Sequence, residues 1–541
     1  MTISNLCGRW RGLCVGASVL LGACASDAPP PAVGQTEGAA SAPALEITAA
    51  VRHDQSPMTS QLQDSTTTPA DAKKAKKERD HKLLPGTDAA GADPVVQTAA
   101  AGSTPTAGLG FDAIGQGFLG TNATPYNVLW IPSDQNIAVG PSEVVEVTND
   151  QIAAFDKTGT AVYGPRGVNI LWSGFGGNCE ANNDGDPVVR YDRQAGRWVV
   201  TQFQVTVTPY SQCVAVSSGP SFVNSTWNRY EFTYKYFNDY PKLSVWPDAY
   251  YVTYNMFQGG SFRGAAACAL ERTQMLVGGP ARQICYQLSS KFGGLLAADV
   301  DGATLPTHDE LLANFTTQGG YKLNLWKFHP NWTTPANSTF VQQPSVTVAS
   351  FSTPTGIPQK GTSQKLDALS DRLMYRLAYR AGAPSLCASA GTASMVVNHT
   401  VSVSGVAGVR WYELRVTAAG NVSLCQQGTY KPDSTSRWMG SIAGDKLGNL
   451  AMGFSVSSSS LYPGIRSTGR LATDSAGMMG AETPIQDGGG YQSANRWGDY
   501  TSLVVDPTDD CTFWYVDQYE KVSGAWNWST RVASFKFSGC N

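Results

Sequence analysis

The chain has 541 residues, of which 42% are hydrophobic and 15% are charged, so it can bury a large core. Its 39 Lys and Arg residues nearly balance 42 Asp and Glu residues, which excludes the basic surface that nucleic-acid binding needs. Only five His residues occur, without a CxxC or HExxH motif, so the sequence offers no local zinc motif and we predict no metal site.

The first segment of the chain has the pattern of an export signal. Two arginines precede the apolar run 13–21, which is too short to span a membrane as a mature helix. The sequence Leu21-Gly22-Ala23-Cys24 resembles a bacterial lipobox, which implies a signal peptide over 1–23 and lipidation of Cys24. An ordinary secretory signal with an incidental Cys24 is the alternative. We predict an exported protein at the outer membrane or cell surface that contacts the membrane through its lipid anchor only.

Residues 24–109 differ in composition from the rest of the chain. No Phe, Tyr, Trp or Cys occurs from 25 to 109, where Ala, Pro, Ser, Thr and Gly dominate. Such a segment cannot bury enough apolar surface to offset the entropy lost on ordering. We therefore predict a disordered tether over 24–109 and a folded domain over 110–541, which contains every aromatic residue except Trp10.

The predicted domain has the pattern of an all-β protein. Alternating or short apolar runs, such as 198–205 and 250–255, are separated by Gly, Asn, Asp and Pro. Strand–turn–strand units recur about every 45 to 70 residues, which predicts a seven-bladed β-propeller. Two stacked β-sandwich domains are the alternative. The seven predicted units open at residues 136, 186, 240, 295, 371, 437 and 496.

Eight cysteines lie in the predicted domain, an even number in a protein that is exported to an oxidising compartment. Sequence does not determine their connectivity, because eight cysteines allow on the order of a hundred pairings. Pairing between neighbours is preferred here, since each blade packs within itself first. The predicted disulfides join Cys179 to Cys213, Cys268 to Cys285, Cys387 to Cys425 and Cys511 to Cys540.

Four stretches resemble a group of large secreted bacterial proteins without an assigned biochemical role: 183–189, 239–251, 437–443 and 496–515. The resemblance covers about residues 115–541. It implies blades similar to those of the sialidase superfamily. The Asp-box and the Arg-Ile-Pro motif of true sialidases are absent, so the resemblance does not imply sialidase activity.

In a propeller, the first residues of the innermost strands converge at one mouth of the central channel. Carboxylates there can act as acid and base at a glycosidic bond, and Arg forks can hold a saccharide. The alternative is that each Asp caps a turn and each Arg bridges neighbouring blades. The catalytic candidates are Asp186, Asp239, Asp371, Glu413 and Asp499, and the substrate-binding candidates are Arg372, Tyr412, Arg437, Arg496 and Trp497. Of these, Tyr412 and Glu413 lie inside a predicted strand over 409–416, between two arginines, and not at a strand opening.

The final unit opens with Arg496, Trp497, Gly498 and Asp499. Strand alternation predicts that Trp497 and Asp499 share one face and that Arg496 lies on the other, unless a bulge intervenes. We expect Asp499 and Arg496 to matter more for activity or binding than for folding.

Two classes of function remain open from the sequence. In the first, the mouth is the glycan-cleaving site of a glycoside hydrolase or a polysaccharide lyase. In the second, the aromatic rim is a non-catalytic platform that binds a protein or a glycan. Neutral charge and an envelope location favour a polysaccharide or glycan partner and a monomer. The loops 182–186 and 299–302 offer oxygen ligands for calcium, but turn chemistry explains them without an ion, so no cofactor is predicted.

Overall fold

The computed structural model describes residues 43–63, 74–75 and 92–541. Over these residues the chain is all-β, and its only α-helices are the short Gly177–Ala181 and Arg272–Val277. The 3-10 turns in the same part of the chain are Thr59–Gln61, Val168–Trp172, Pro335–Asn337 and Ala388–Ala390. Within these ranges we find no helix with the length and apolar character that crossing a membrane requires. The predicted signal peptide and Cys24 lie outside the described residues.

Consecutive strands pair antiparallel in seven runs, which we call sheets I to VII. Sheet I contains Asn136–Val139, Glu143–Val147, Gln151–Asp156 and Ala161–Gly167. Sheet II contains Val188–Asp192, Arg197–Gln204, Tyr210–Ser217 and Trp227–Tyr234. Sheet III contains Phe237–Val245, Tyr250–Gln258, Ser261–Leu270 and Arg282–Gln287.

The remaining sheets repeat this arrangement. Sheet IV contains Leu296–Asp301, Glu310–Thr316, Lys322–His329 and Thr339–Thr347. Sheet V contains Met374–Ala381, Ala393–Val403, Val406–Val416 and Val422–Tyr430. Sheet VI contains Ser436–Gly444, Leu450–Ser458, Leu461–Arg470 and Thr483–Gln486. Sheet VII contains Ser502–Val505, Phe513–Glu520 and Trp528–Lys536, and its fourth strand is Thr106–Gly115 from earlier in the chain.

The first strands of the sheets form a closed ring. Each one contacts the first strand of the next sheet, and the first strand of sheet VII contacts that of sheet I. Between sheets IV and V this contact is a parallel pairing, with Ala298 opposite Leu377. The sheets therefore stand around a common axis that their first strands line, and the residues that precede those strands meet at one end of it. We call that end the mouth.

Local sequence explains the turns between strands. The hairpin between the second and third strands of sheet III is Gly259-Gly260, and both residues have left-handed backbone conformations, with φ of +56° and +84°. A two-residue hairpin of the favoured type needs positive φ at both central positions, which glycine adopts without a steric cost. This pair therefore fixes the register of Tyr250–Gln258 against Ser261–Leu270.

Parts of the predicted tether belong to the sheets. Ala44–Ala49 pairs with the fourth strand of sheet III, Arg52–Gln55 with that of sheet II, and Val96–Gln97 with that of sheet V. Lys74–Ala75 pairs in parallel with Trp130–Ile131. The predicted continuous tether and the boundary at residue 110 therefore differ from the structure in these segments.

The physical reason for this difference lies in the edges of the sheets. The outermost strand of a sheet has unpaired backbone N–H and C=O groups, and an added strand satisfies them with its own backbone. Such pairing needs no aromatic or bulky side chain, so composition does not reveal it. Side chains add contacts at the edge of sheet II, where Asp54 accepts from Arg229 at 2.6 Å and 2.8 Å.

Four disulfides join the neighbouring cysteines of the predicted pairs. The bond from Cys511 to Cys540 closes a loop with a sequence separation of 29 residues and fastens the end of the chain to sheet VII. Replacing both cysteines by serine should lower the free energy of unfolding by about 2–4 kcal/mol, because the unfolded chain regains loop entropy. Urea unfolding of wild type and variant measures this, and coincident transitions would contradict it.

A buried acid in sheet I makes stability depend on pH. Glu146 is fully buried, and its Oε2 accepts from the Ile114 N–H at 2.9 Å. Burial raises the pKa of Glu146 to about 8, although the hydrogen bonds from Thr530 and Ile114 oppose the rise. Between its ordinary pKa and 8 the folded protein binds the proton that the unfolded chain releases, so stability falls as pH rises through this window.

We expect Glu146→Gln to remove this dependence, because the amide stays neutral and keeps an acceptor for Ile114. The difference in unfolding free energy between variant and wild type should grow by up to about 1.4 kcal/mol per pH unit. Thermal or urea unfolding at a series of pH values from 5 to 8 checks it. A constant difference across this range would show that Glu146 titrates normally.

Candidate functional site

Two aspartates occupy equivalent positions at the mouth. Asp134 lies two residues before the first strand of sheet I, and Asp186 lies two residues before that of sheet II. Both have left-handed backbone conformations, with φ of +47° and +46°. Asp tolerates this region better than most residues, so the repeated conformation matches the residue type.

Hydrogen bonds connect these aspartates to a third from sheet VII. The Oδ1 of Asp134 accepts from the backbone N–H of Asp499 at 2.8 Å, and its Oδ2 accepts from the side-chain amide of Asn149 at 2.7 Å. The Oδ1 of Asn149 accepts from the backbone N–H of Asp186 at 3.1 Å. Asp134, Asp186 and Asp499 are therefore linked through three sheets.

A buried lysine faces these carboxylates. The Nζ of Lys242 lies 3.5 Å from the ring centre of Tyr240 and 3.7 Å from that of Tyr500, and it donates to the backbone oxygen of Pro241 at 3.0 Å. Burial lowers the pKa of Lys242 to about 7, and the positive charge of Arg372 adds to this effect. The negative charges of Asp186, Asp134 and Asp499 oppose it.

Two arginines complete the arrangement. The guanidinium of Arg372 lies 4.6 Å from the ring centre of Tyr240 and pairs with Asp371 at 2.8 Å. Arg496 pairs with Asp499. We call the assembled set the mouth cluster; its members are Asp134, Asp186, Tyr240, Lys242, Arg372, Arg496, Asp499 and Tyr500. All of them are buried, whereas the neighbouring Asp239 and Asp371 are half-buried.

A polar network in sheet VII holds the two segments that carry Asp134 and Asp499. The side-chain oxygen of Gln518 accepts from the N–H of Gly498 at 3.1 Å and from the hydroxyl of Ser133. A Cβ on Gly498 would lie 2.6 Å from the Oε1 of Gln135, so a larger residue there would displace the Gln135 side chain. Gln518 thus fixes the residues directly before both aspartates.

The structure gathers four of the predicted site residues in the mouth cluster: Asp186, Arg372, Arg496 and Asp499. Asp371 and Asp239 lie beside it, since Asp371 binds Arg372 and Asp239 precedes Tyr240. The predicted separation of Arg496 from Asp499 does not hold. Residues 496–499 precede the strand Ser502–Val505 and are not part of it, so strand alternation does not apply to them, and the side chains of Arg496 and Asp499 form an ion pair.

The other predicted residues make contacts outside the mouth cluster. Arg437 pairs with Glu482 and, at 2.8 Å, with Asp433. Trp497 packs against Trp438 and donates to the Ser455 hydroxyl at 3.1 Å.

Glu413 and Tyr412 lie in the third strand of sheet V, Val406–Val416. Glu413 accepts from Ser385 at 2.7 Å and from Gln426 at 2.6 Å. The Tyr412 hydroxyl bonds to His399 at 2.9 Å inside the core. Their contacts are those of structural residues.

Sequence reasoning missed Asp134, Tyr240, Lys242 and Tyr500. A signal for Asp134 existed, because Ser133-Asp134-Gln135-Asn136 aligns with Gly185-Asp186-Pro187-Val188 when the first two units are superimposed on their strand starts. Lys242 had no such signal. Its side chain is buried inside a strand at a register shift between Asp239 and Lys242, and a lysine in a strand ordinarily faces water.

The two loops considered for calcium have other partners. Asp184 accepts from the backbone N–H groups of Val205 at 2.8 Å and Thr206 at 2.9 Å. Asp299 pairs with Arg190 at 2.6 Å, and Asp301 pairs with Arg376. Among the residues that the structure describes, no group of three His, Cys, Asp or Glu side chains is arranged to hold a metal ion.

Comparison with known proteins gives no sequence relative, since no family model and no curated protein matches the chain. Among solved structures, it is similar to a protein of unknown function from Dyadobacter fermentans, with a TM-score of 0.35, 8% identity and coverage of 79% of this chain and 98% of that one. It is also similar to an α-L-arabinanase of Penicillium chrysogenum, with a TM-score of 0.31, 9% identity and coverage of 70% and 99%. An endo-arabinase of Bacteroides thetaiotaomicron matches with a TM-score of 0.26, 11% identity and coverage of 56% and 93%.

Proposed function

We propose that the chain folds as a seven-bladed β-propeller whose mouth cluster binds and cleaves a carbohydrate polymer. The closed ring of first strands supports the blade count, because seven antiparallel sheets meet around one axis. The fourth strand of sheet VII, Thr106–Gly115, comes from the opposite end of the domain and joins the two ends of the ring.

One observation carries the functional proposal. Carboxylates from sheets I, II and VII converge on the ammonium of Lys242 from sheet III, between the rings of Tyr240 and Tyr500. Taking charged groups out of water costs several kcal/mol each, and proteins concentrate such groups where function requires them. Apolar side chains would fill this position more cheaply if packing were its only role.

The chemistry of the cluster suits an acid–base reaction on a sugar. Asp134, Asp186 and Asp499 supply carboxylates, and two carboxylates are the groups that glycosidic hydrolysis uses. Lys242 exchanges its proton near neutral pH, which is the property required of a general acid or base. Arg372 and Arg496 supply guanidinium groups that bind hydroxyl or carboxylate oxygens.

A second candidate, a non-catalytic platform, is favoured by the burial of the cluster. Asp134 and Tyr500 are 0% exposed and Lys242 is 2% exposed. In this alternative the cluster is an ionic core that holds the blades together, and a glycan or protein binds to the rim.

A glycan array probed with the exported chain, followed by mass analysis of the products, separates these functions. Cleavage by hydrolysis yields fragments with an added water, whereas a lyase yields an unsaturated end. We expect both binding and cleavage to be lost in Asp186→Asn and kept in Asp487→Asn, whose carboxylate is 70% exposed. Binding without cleavage would favour the platform, and no binding to any glycan would contradict the proposal.

We also propose that the protein acts as a monomer, anchored to the outer membrane or cell surface through a lipid on Cys24. The lipobox-like sequence supports this location. Metabolic labelling with a fatty-acid analogue should mark wild type and spare Cys24→Ala. Equal labelling of both proteins would exclude lipidation at this residue.

A further inference from the structure

The end of the central channel opposite the mouth contains a second group of charged side chains. The first strands of sheets I, II, IV and VII end around a cavity of about 360 Å³, counting the solvent at its entrance. Its walls combine apolar side chains, such as Val139 and Val505, with Arg190, Arg193, Asp301 and Asp510. None of these groups belongs to the mouth cluster.

Two guanidinium groups share one carboxylate at this end. The Nη1 of Arg193 lies 2.6 Å from the Oδ1 of Asp510, and the Nη1 of Arg380 lies 3.1 Å from the same oxygen. Arg380 is 6% exposed, and its buried Nη2 has no hydrogen-bond partner among the described residues. A buried N–H group without an acceptor is costly, so this nitrogen is suited to bind a further oxygen.

The backbone makes room for Arg380 beside the cavity. Gly302 lines the cavity with a left-handed φ of +82°, and a Cβ there would lie 2.6 Å from the Nη1 of Arg380. Arg380 itself lines a second, smaller cavity, which also includes Asp301.

Two further ion pairs and one further carboxylate lie near this position. Arg190 pairs with Asp299 at 2.6 Å, and Arg376 donates to Asp301 at 2.8 Å. Asp445 also lines the smaller cavity, but its carboxylate accepts from the N–H of Leu447 at 2.8 Å and from the side chain of Asn449 at 2.7 Å. At Asp510, two guanidinium groups therefore meet one carboxylate, and the Asp445 carboxylate, which only neutral groups bond, is a further negative charge near Arg380.

We propose that this end of the channel binds a small oxyanion, such as phosphate, sulfate or a carboxylate, through Arg193 and Arg380. The planar guanidinium donates two parallel hydrogen bonds to such a group, which makes arginine the preferred side chain for it. The bound anion shares the two cations with Asp510 and gives the Nη2 of Arg380 its acceptor. The site is independent of the proposed carbohydrate site.

The test is calorimetric titration of the full exported chain with sodium phosphate, sodium sulfate and sodium acetate, with sodium chloride at matched ionic strength as the control. We expect saturable binding of at least one oxyanion and none of chloride. Comparison of the tetrahedral anions with acetate identifies the preferred class. Calorimetry is needed because sulfate and phosphate also stabilise proteins without binding.

Two variants give opposite expected changes. Arg193→Gln removes a cation whose side chain is 29% exposed, so the fold tolerates it, and affinity should fall about tenfold. Asp510→Asn removes the competing carboxylate and should tighten binding about tenfold. Asn also accepts the left-handed φ of +58° at this position. Absence of saturable binding in both wild type and Asp510→Asn would overturn the proposal, as would equal affinities in all three proteins.

Discussion

A chain that begins at residue 116 should fail to fold cooperatively, whereas one that begins at residue 104 should unfold in a single transition. The two chains differ by the strand Thr106–Gly115, which is the fourth strand of sheet VII. Without it, the edge of Trp528–Lys536 loses its backbone partner, and the ring of sheets is no longer held at its two ends. The side chain of Ile114 is fully buried and its core neighbours would become exposed.

The expected loss is comparable with the whole stability of a domain, about 5–15 kcal/mol. Both chains lack Ala44–Ala49, Arg52–Gln55 and Val96–Gln97, so the comparison isolates the strand that closes the ring. Circular dichroism and differential scanning calorimetry measure the transition. Similar melting curves for the two chains would mean that sheet VII is stable with three strands.

Much of the architecture could be predicted because it is local in the sequence. Strand pairs joined by short turns, such as the one at Gly259-Gly260, leave a pattern of alternation and glycine that can be recognised along the chain. The N-terminal strands left no such pattern. Thr106–Gly115 pairs with residues more than 400 positions later, and nothing in its composition indicates a partner at that distance.

The candidate site was predicted only where it follows the repeat. Asp186 and Asp499 were found because they open predicted strands, whereas Arg437 opens a strand but pairs within sheet VI. Lys242 depends on tertiary burial, because the rings of Tyr240 and Tyr500 enclose its ammonium group. Periodicity in the sequence cannot show that Tyr500, which is distant along the chain, lies beside Lys242. The position of a residue in a strand therefore indicates a functional role less well than the charged groups that surround its side chain in the folded protein.

The second large effect is expected at Asp499. Its carboxylate forms a buried ion pair with Arg496, and both residues are at most 6% exposed. Asp499→Asn should therefore lower the free energy of unfolding by about 3 kcal/mol, because the buried ion pair with Arg496 is lost. This replaces the expectation from sequence that the substitution spares folding. Urea unfolding of wild type and variant measures the loss.

The double variant Asp499→Asn with Arg496→Met separates folding from function. Removing both members of the ion pair takes away the buried charge together with its partner in this pair, so part of the lost stability should return. Glycan binding and cleavage should stay lost in the single and the double variant if the Asp499 carboxylate contacts the sugar. If the double variant regains both stability and glycan binding, Asp499 is a structural anion, and the functional role falls to Asp134 and Asp186 alone.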